Sequence, residues 1–168
     1  MKLQKMLLGV LFFFVCSLGA QTLSAQGATY NTAVGLRLGY PLSASVKKFV
    51  KDDIAVEAYV GFRGFSGYSW VNVAAALQKH NAIDEVDGLQ WYYGAGASVF
   101  FFNFDNNFFN DGASSTSFGV QGYIGLDYTF ADVPLSVTVD WIPTIFINGF
   151  GSGFNGGYGS LGVRYILN

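Results

Sequence analysis

Residues 117–130 read SFGVQGYIGLDYTF, and this stretch decides the fold. Phe118, Val120, Ile124, Leu126, Tyr128 and Phe130 alternate with Ser117, Gly119, Gln121, Tyr123, Gly125, Asp127 and Thr129. Only Gly122 interrupts the apolar set. Successive strand side chains point to opposite faces, so one face here is bulky and greasy and the other small or polar. No segment of the chain shows sustained helical periodicity.

The same alternation recurs on both sides. Val34, Leu36, Leu38 and Tyr40 face away from Ala33, Gly35, Arg37 and Gly39, and Leu161, Val163, Tyr165 and Leu167 from Ser160, Gly162 and Arg164. Residues 44–50, 54–65, 68–78, 89–102 and 134–147 add further strands, the last bent near Pro143. That makes about eight strands, most of them near the 9–11 residues that a tilted strand needs to cross a bilayer. A short helical turn is allowed at 82–87 without changing the class.

Composition agrees. Of 168 residues, 51% are hydrophobic and only 12% charged, about half the charge of an ordinary soluble domain. The long uninterrupted apolar run is at the start, residues 6–18, behind Lys2 and Lys5 and ahead of small residues. This is the pattern of a secretory signal, too short to span a membrane. Cleavage after Ala25 is expected, with Ala20 the other candidate, giving a leader over 1–25 and one barrel domain over 26–168. Cys16 then leaves with the leader, and Val15 before it does not suit a lipoprotein signal. Removing two lysines leaves seven basic against eleven acidic residues, a charge of −4, which argues against nucleic acid as a partner.

Alternation alone also fits a soluble sandwich or barrel. The identity of the two faces separates the readings. Gly, Ala, Ser and Thr dominate the less apolar face and cannot fill a dry core, but they can line a narrow polar lumen while the bulky face meets lipid. Aromatic placement points the same way. Trp91, Tyr93, Tyr128, Phe130 and Tyr165 are expected near one rim and Tyr40, Phe62, Phe101 and Phe118 near the other, as two headgroup girdles require. Connections at 51–53, 80–88 and 131–133 fall at the first rim, and those at 41–43, 66–67, 103–116 and 148–157 at the second. Membrane barrels keep the longer connections outside.

The runs GLRLGYPLSASVKKFV (35–50), GLQWYYGAGA (88–97) and GYIGLDYTF (122–130), followed by PLSVTVDWIP and GGYGSLGVRYILN, resemble a family of small outer-membrane barrels of Gram-negative Bacteroidota. That family is similar in architecture to barrels of the outer-membrane protein A and X type. The resemblance implies an all-β fold, a closed antiparallel transmembrane barrel of about eight strands with a periplasmic N-terminus. It implies no catalytic residues and no cofactor. Lipid, lipopolysaccharide and the barrel-insertion machinery are its expected partners. Asn168 stands where many such barrels end on an aromatic, so the insertion signal is expected around Tyr165.

Parity places Arg37, Lys47, Glu57, Arg63, Asp127, Asp140 and Arg164 in the lumen as a nearly self-neutralising charge network. Charges in a narrow interior must be paired or hydrated. His80, the one histidine, is expected in a turn; without a second histidine or a cysteine it makes neither a zinc site nor a triad. The connection 103–116 carries Asp105, Asn106, Asn107 and Asp111, but Phe109 occupies an EF-hand ligand position and argues against calcium. Phe104, Phe108 and Phe109 mark it as a possible contact for an extracellular partner, or as a cap over the mouth. Residues 149–157 are glycine-rich with no phosphate-loop lysine. The functional expectation is a non-enzymatic envelope barrel with a salt-bridged lumen and a structural or interaction role. A narrow channel or small-molecule transporter is one alternative and a secreted soluble binding barrel the other.

Overall fold

The computed structural model describes residues 30–65, 67–104, 114–149 and 152–167. The expected leader, Phe108, Phe109 and the carboxylates Asp105 and Asp111 lie outside the described residues. Eight strands follow one another: β1 (Thr32–Gly39), β2 (Leu42–Lys51), β3 (Ile54–Phe65), β4 (Tyr68–Ala82), β5 (Leu89–Phe104), β6 (Ser114–Thr129), β7 (Leu135–Phe146) and β8 (Gly153–Ile166). Each pairs antiparallel with its neighbour, and β1 pairs with β8, so the sheet closes into a barrel without an edge. Closure leaves the sheet no unpaired edge strand, the condition for a sheet to sit in hydrocarbon.

The register turns sequence parity into two surfaces. Val34 pairs with Val46 on one side and Tyr165 on the other, and Val139 pairs with Leu126 and Leu161. These chains face outward. Leu36, Leu77, Ile124 and Val139 are each more than half exposed, while Glu57, Asn72, Gln121 and Arg164 are fully buried. A soluble barrel has the opposite arrangement. This is an inside-out barrel of the transmembrane type.

Several strands run further than the alternation suggested. Residues 79–82 belong to β4, where Lys79 pairs with Tyr93, His80 with Tyr92 and Asn81 with Trp91. Their polar sequence hides a strand because an inward face is polar here. At the opposite end Asn103 pairs with Ser114, so strand pairing takes up part of the expected 103–116 loop, and β8 starts at Gly153 within the glycine-rich segment. The 83–88 connection is a chain of turns and not a helical turn. It ends at Gly88 with φ +80°, where a Cβ would lie 2.3 Å from the Thr129 carbonyl oxygen. At Pro143, which has no N–H to donate, the β7–β8 register shifts between Ile142 and Thr144. Trp141 Nε1 donates to the Gly156 carbonyl across this irregularity at 2.9 Å.

If the outer face meets lipid, a charge placed on it is penalised by depth. Val139→Arg should lower unfolding free energy in phospholipid vesicles by about 2–4 kcal/mol, read from reversible denaturant titrations. A loss below about 0.5 kcal/mol, the usual size of a surface change in water, would mean that this face is solvated.

Candidate functional site

Inward parity brings the polar side chains of all eight strands into one lumen, and the strand lengths set their heights. Lys47 on β2, Arg37 on β1, Arg164 on β8, Glu57 on β3, Asp127 on β6 and Asp140 on β7 meet in a single layer. Three cations face three carboxylates. All six residues are at most 5% exposed.

Glu57 is the hub. Its Oε1 accepts from Arg37 Nη1 at 2.9 Å and from Arg164 Nη2, and its Oε2 accepts from Gln78 Nε2 at 2.9 Å. Arg37 spans onward, donating through Nη2 to Asp140 Oδ2 at 2.6 Å. Tyr92 donates its hydroxyl to the same oxygen. Arg164 also donates to Thr138 Oγ1 at 2.9 Å and Ser45 Oγ at 3.3 Å. Gly162 leaves the guanidinium its room, since a Cβ there would stand 2.3 Å from Thr138 Oγ1 and 3.0 Å from Arg164 Nη1. Lys47 Nζ bonds Asp127 Oδ2 at 3.0 Å and lies 4.4 Å over the Tyr92 ring. Tyr30 and Ser136 donate to the two oxygens of Asp127 at 3.0 and 2.8 Å. Arginine suits the bridging role, because its planar fork reaches two carboxylates at once.

Aromatic layers flank this ionic layer. Towards the chain termini, His80 stacks on Tyr92 at 4.8 Å and meets Phe49 at the same distance, with Tyr30 edge-on to Phe49 at 5.0 Å. His80 therefore stands buried in the lumen and not in a turn, with Nδ1 3.0 Å from Gln90 Oε1. On the other side, Tyr59, Gln121, Tyr123 and Tyr158 share hydrogen bonds of 2.9–3.5 Å. Beyond them Trp70, Phe100, Phe102 and Phe146 form an apolar cluster. The interior is thus not made of small residues alone. β3 to β7 supply most of the rings, and β2 and β8 add Phe49 and Tyr158 to otherwise small and charged inward chains.

Three solved structures share this architecture. The N-terminal β-barrel domain of Pseudomonas aeruginosa OprF aligns with a TM-score of 0.63 at 17% identity, over 83% of this chain and 98% of that one. Neisserial surface protein A aligns at 0.61 and 15%, over 81% and 93%. Ail, the attachment invasion locus protein of Yersinia pestis, aligns at 0.56 and 13%, over 83% and 99%. The likeness is one of fold. No family model matches the sequence, and no curated protein does.

Arg63 corrects the sequence expectation. It shares inward parity with Glu57 but sits six residues further along β3, at the end away from the termini. There its guanidinium lies 4.1 Å over the Tyr40 ring, half-buried, outside the ionic layer. Without it the layer holds three charges of each sign. The other expected girdle residues, Tyr40 excepted, point outward at two heights. Trp91 and Tyr93 stack at 5.6 Å, and Tyr128 meets Phe130 edge-on at 4.9 Å, on the side of the termini with Tyr165. Phe62, Phe101 and Phe118 are exposed at the other end, while Tyr128 is half-buried. Tyr40 departs from the expected girdle: its ring lies 5.9 Å from that of the buried Trp70 and beneath Arg63, so it stands at the mouth of the lumen. Among the described residues, no group of three or more His, Cys, Asp and Glu side chains is arranged to hold a metal ion.

Tyr30, Tyr92, Gln78, Ser136 and Thr138 complete the ionic layer and were not singled out from the sequence. Inward parity is the only signal that Tyr92, Gln78, Ser136 and Thr138 carry, and Tyr30, which precedes β1, carries none. Removing one partner from a buried ion cluster typically costs about 3–5 kcal/mol, because the other is left charged and unmatched. Glu57→Ala should therefore lower the unfolding midpoint in detergent by far more than Arg63→Ala. The double change Glu57→Leu with Arg164→Met should recover part of the loss, since it removes an opposite pair. Equal, small effects of Glu57→Ala and Arg63→Ala would show that the layer contributes nothing.

Proposed function

We propose that the chain is an outer-membrane barrel with a plugged lumen, a closed scaffold with a structural or interaction role. The observation that carries this reading is the ionic layer of Arg37, Lys47, Glu57, Asp127, Asp140 and Arg164. Side chains from six strands meet across the lumen there, and all are buried. An eight-stranded barrel is just wide enough for its side chains, so a layer bonded from wall to wall leaves no continuous water column.

The outward face supports the membrane assignment. Leu36, Leu77, Ile124, Val139 and many neighbours would stand in water if the barrel were secreted and soluble, and contiguous apolar surface of that extent is rare on soluble monomers. Outward aromatics at both ends of the strands are what headgroup girdles require. The connections at the end of the termini, 52–53, 83–88 and 130–134, are short or tightly turned. Of the four at the other end, 40–41 and 66–67 are short, while the longest connection of the barrel, 105–113, and that at 147–152 also leave from there. This asymmetry supports a periplasmic position for the termini and an outer position for the longer connections. Two structural neighbours are named as a surface protein and as an attachment and invasion protein. Those names support a contact role for the outer end, with an extracellular partner or lipopolysaccharide.

A narrow channel is the competing reading, and it requires Glu57 to release two guanidiniums. The purified barrel in planar bilayers should give no stable single-channel steps. Regular steps that vanish on neutralising Arg37 would replace the scaffold with a channel. On cell fractionation the protein should enter the outer-membrane fraction and need detergent to stay dispersed.

A further inference from the structure

The outer half of the lumen differs from the inner half. Between the tyrosine layer and the mouth, the strands leave a cavity of about 290 Å³. Trp70, Phe100, Phe102 and Phe146 wall it, and Thr144 and Tyr158 stand towards its floor. The walls are ring faces and edges already set against one another. Trp70 and Phe100 have centroids 5.3 Å apart, and Phe146 meets Phe100 edge-on at 5.0 Å. The floor is polar and fixed: Gln121 Nε2 donates to Thr144 Oγ1 at 3.3 Å, and the Tyr158 hydroxyl lies 3.1 Å from that of Tyr59. No residue lining the cavity is charged. Phe101, between Phe100 and Phe102, points outward in the second aromatic ring, which puts the cavity at the height of the outer girdle.

We propose that this cavity binds a small, flat, uncharged ring compound carrying one polar group, taken up from the outer end. Size is the first argument. The volume lies at the lower end of the roughly 300–1,000 Å³ typical of ligand pockets, and so suits a one- or two-ring molecule better than a peptide. Chemistry is the second. Aromatic walls reward offset stacking and edge contacts with another ring, and the hydroxyls of Thr144 and Tyr158 can meet a single donor or acceptor. A charged ligand would find no counter-ion in the lining, and unpaired burial of a charge is costly. Arg63 at the mouth is not part of the lining and holds its guanidinium over the Tyr40 ring. The nearby ionic layer offers none either, since its cations and carboxylates already bind one another. Closure is the third argument. Tyr59, Tyr123 and Ile142 are buried directly beneath, so the molecule is held at this level and not passed on.

The test is a titration of the barrel in phospholipid nanodiscs with indole as probe, followed by nuclear magnetic resonance of side-chain signals. The Thr144 methyl, the Phe146 ring and the Trp70 indole N–H should shift and saturate, while the outward Ile145 methyl and Phe101 ring stay in place. Indole-5-carboxylate should bind at least about tenfold more weakly, because its charge is unmatched. Thr144→Phe, which fills the cavity, should weaken indole binding by about tenfold or more. Should that variant fail to fold, the unsubstituted protein decides the matter. Shifts that rise linearly without saturation, or that are equal at Ile145 and Thr144, mean partition into the bilayer and overturn the site. Equal affinity for the carboxylate overturns the ligand class.

Discussion

Glu57 accepts hydrogen bonds from two arginines at once, and the interior of the barrel is organised around that contact. A carboxylate taken out of water loses a large hydration energy, and one guanidinium seldom restores it. Here the compensation is distributed. Arg37 carries the contact to Asp140, Arg164 carries it to Thr138 and Ser45, and Gln78 fills the second oxygen. Lys47 and Asp127 form a second pair in the same layer, with Tyr30 and Ser136 as additional donors. The result is neutral as a whole and joins strands that are not neighbours in the sheet.

That arrangement answers a constraint set by the outer face. With the bulky apolar chains pointing to lipid, the barrel cannot stabilise itself by collapsing an oily core. The backbone ladder closes the wall and removes every edge, but it does not hold the wall to a particular cross-section. Polar contacts across the lumen do so. Rings above and below shield them from water: Phe49, His80 and Tyr92 on one side and Tyr59 and Tyr123 on the other. A lower local dielectric strengthens those contacts.

The two halves of the lumen are therefore unlike in kind. The half nearer the termini is dense and ionic, with glycines such as Gly162 making room for an arginine. The other half is aromatic, and the described residues leave a cavity in it. β4, β5 and β6 are the longest strands, and their ends build much of that half, together with the irregular β7–β8 seam at Pro143.

Period-two alternation in residues 117–130 and its repeats settled the class, because parity depends only on strand geometry and needs no knowledge of partners. The same parity put Arg37, Lys47, Glu57, Asp127, Asp140 and Arg164 on one face. It could not give height. Arg63 shares that parity, yet it stands at the mouth on Tyr40, and His80, within a run as polar as a turn, stands inside against Phe49. Nor could it reveal that Tyr30 meets Asp127 or that Arg37 meets Asp140, pairs separated by 97 and 103 residues. Which face a side chain takes is a local property of the strand. Which charge it meets across the lumen is decided by register, strand length and closure, and those exist only once all eight strands have paired.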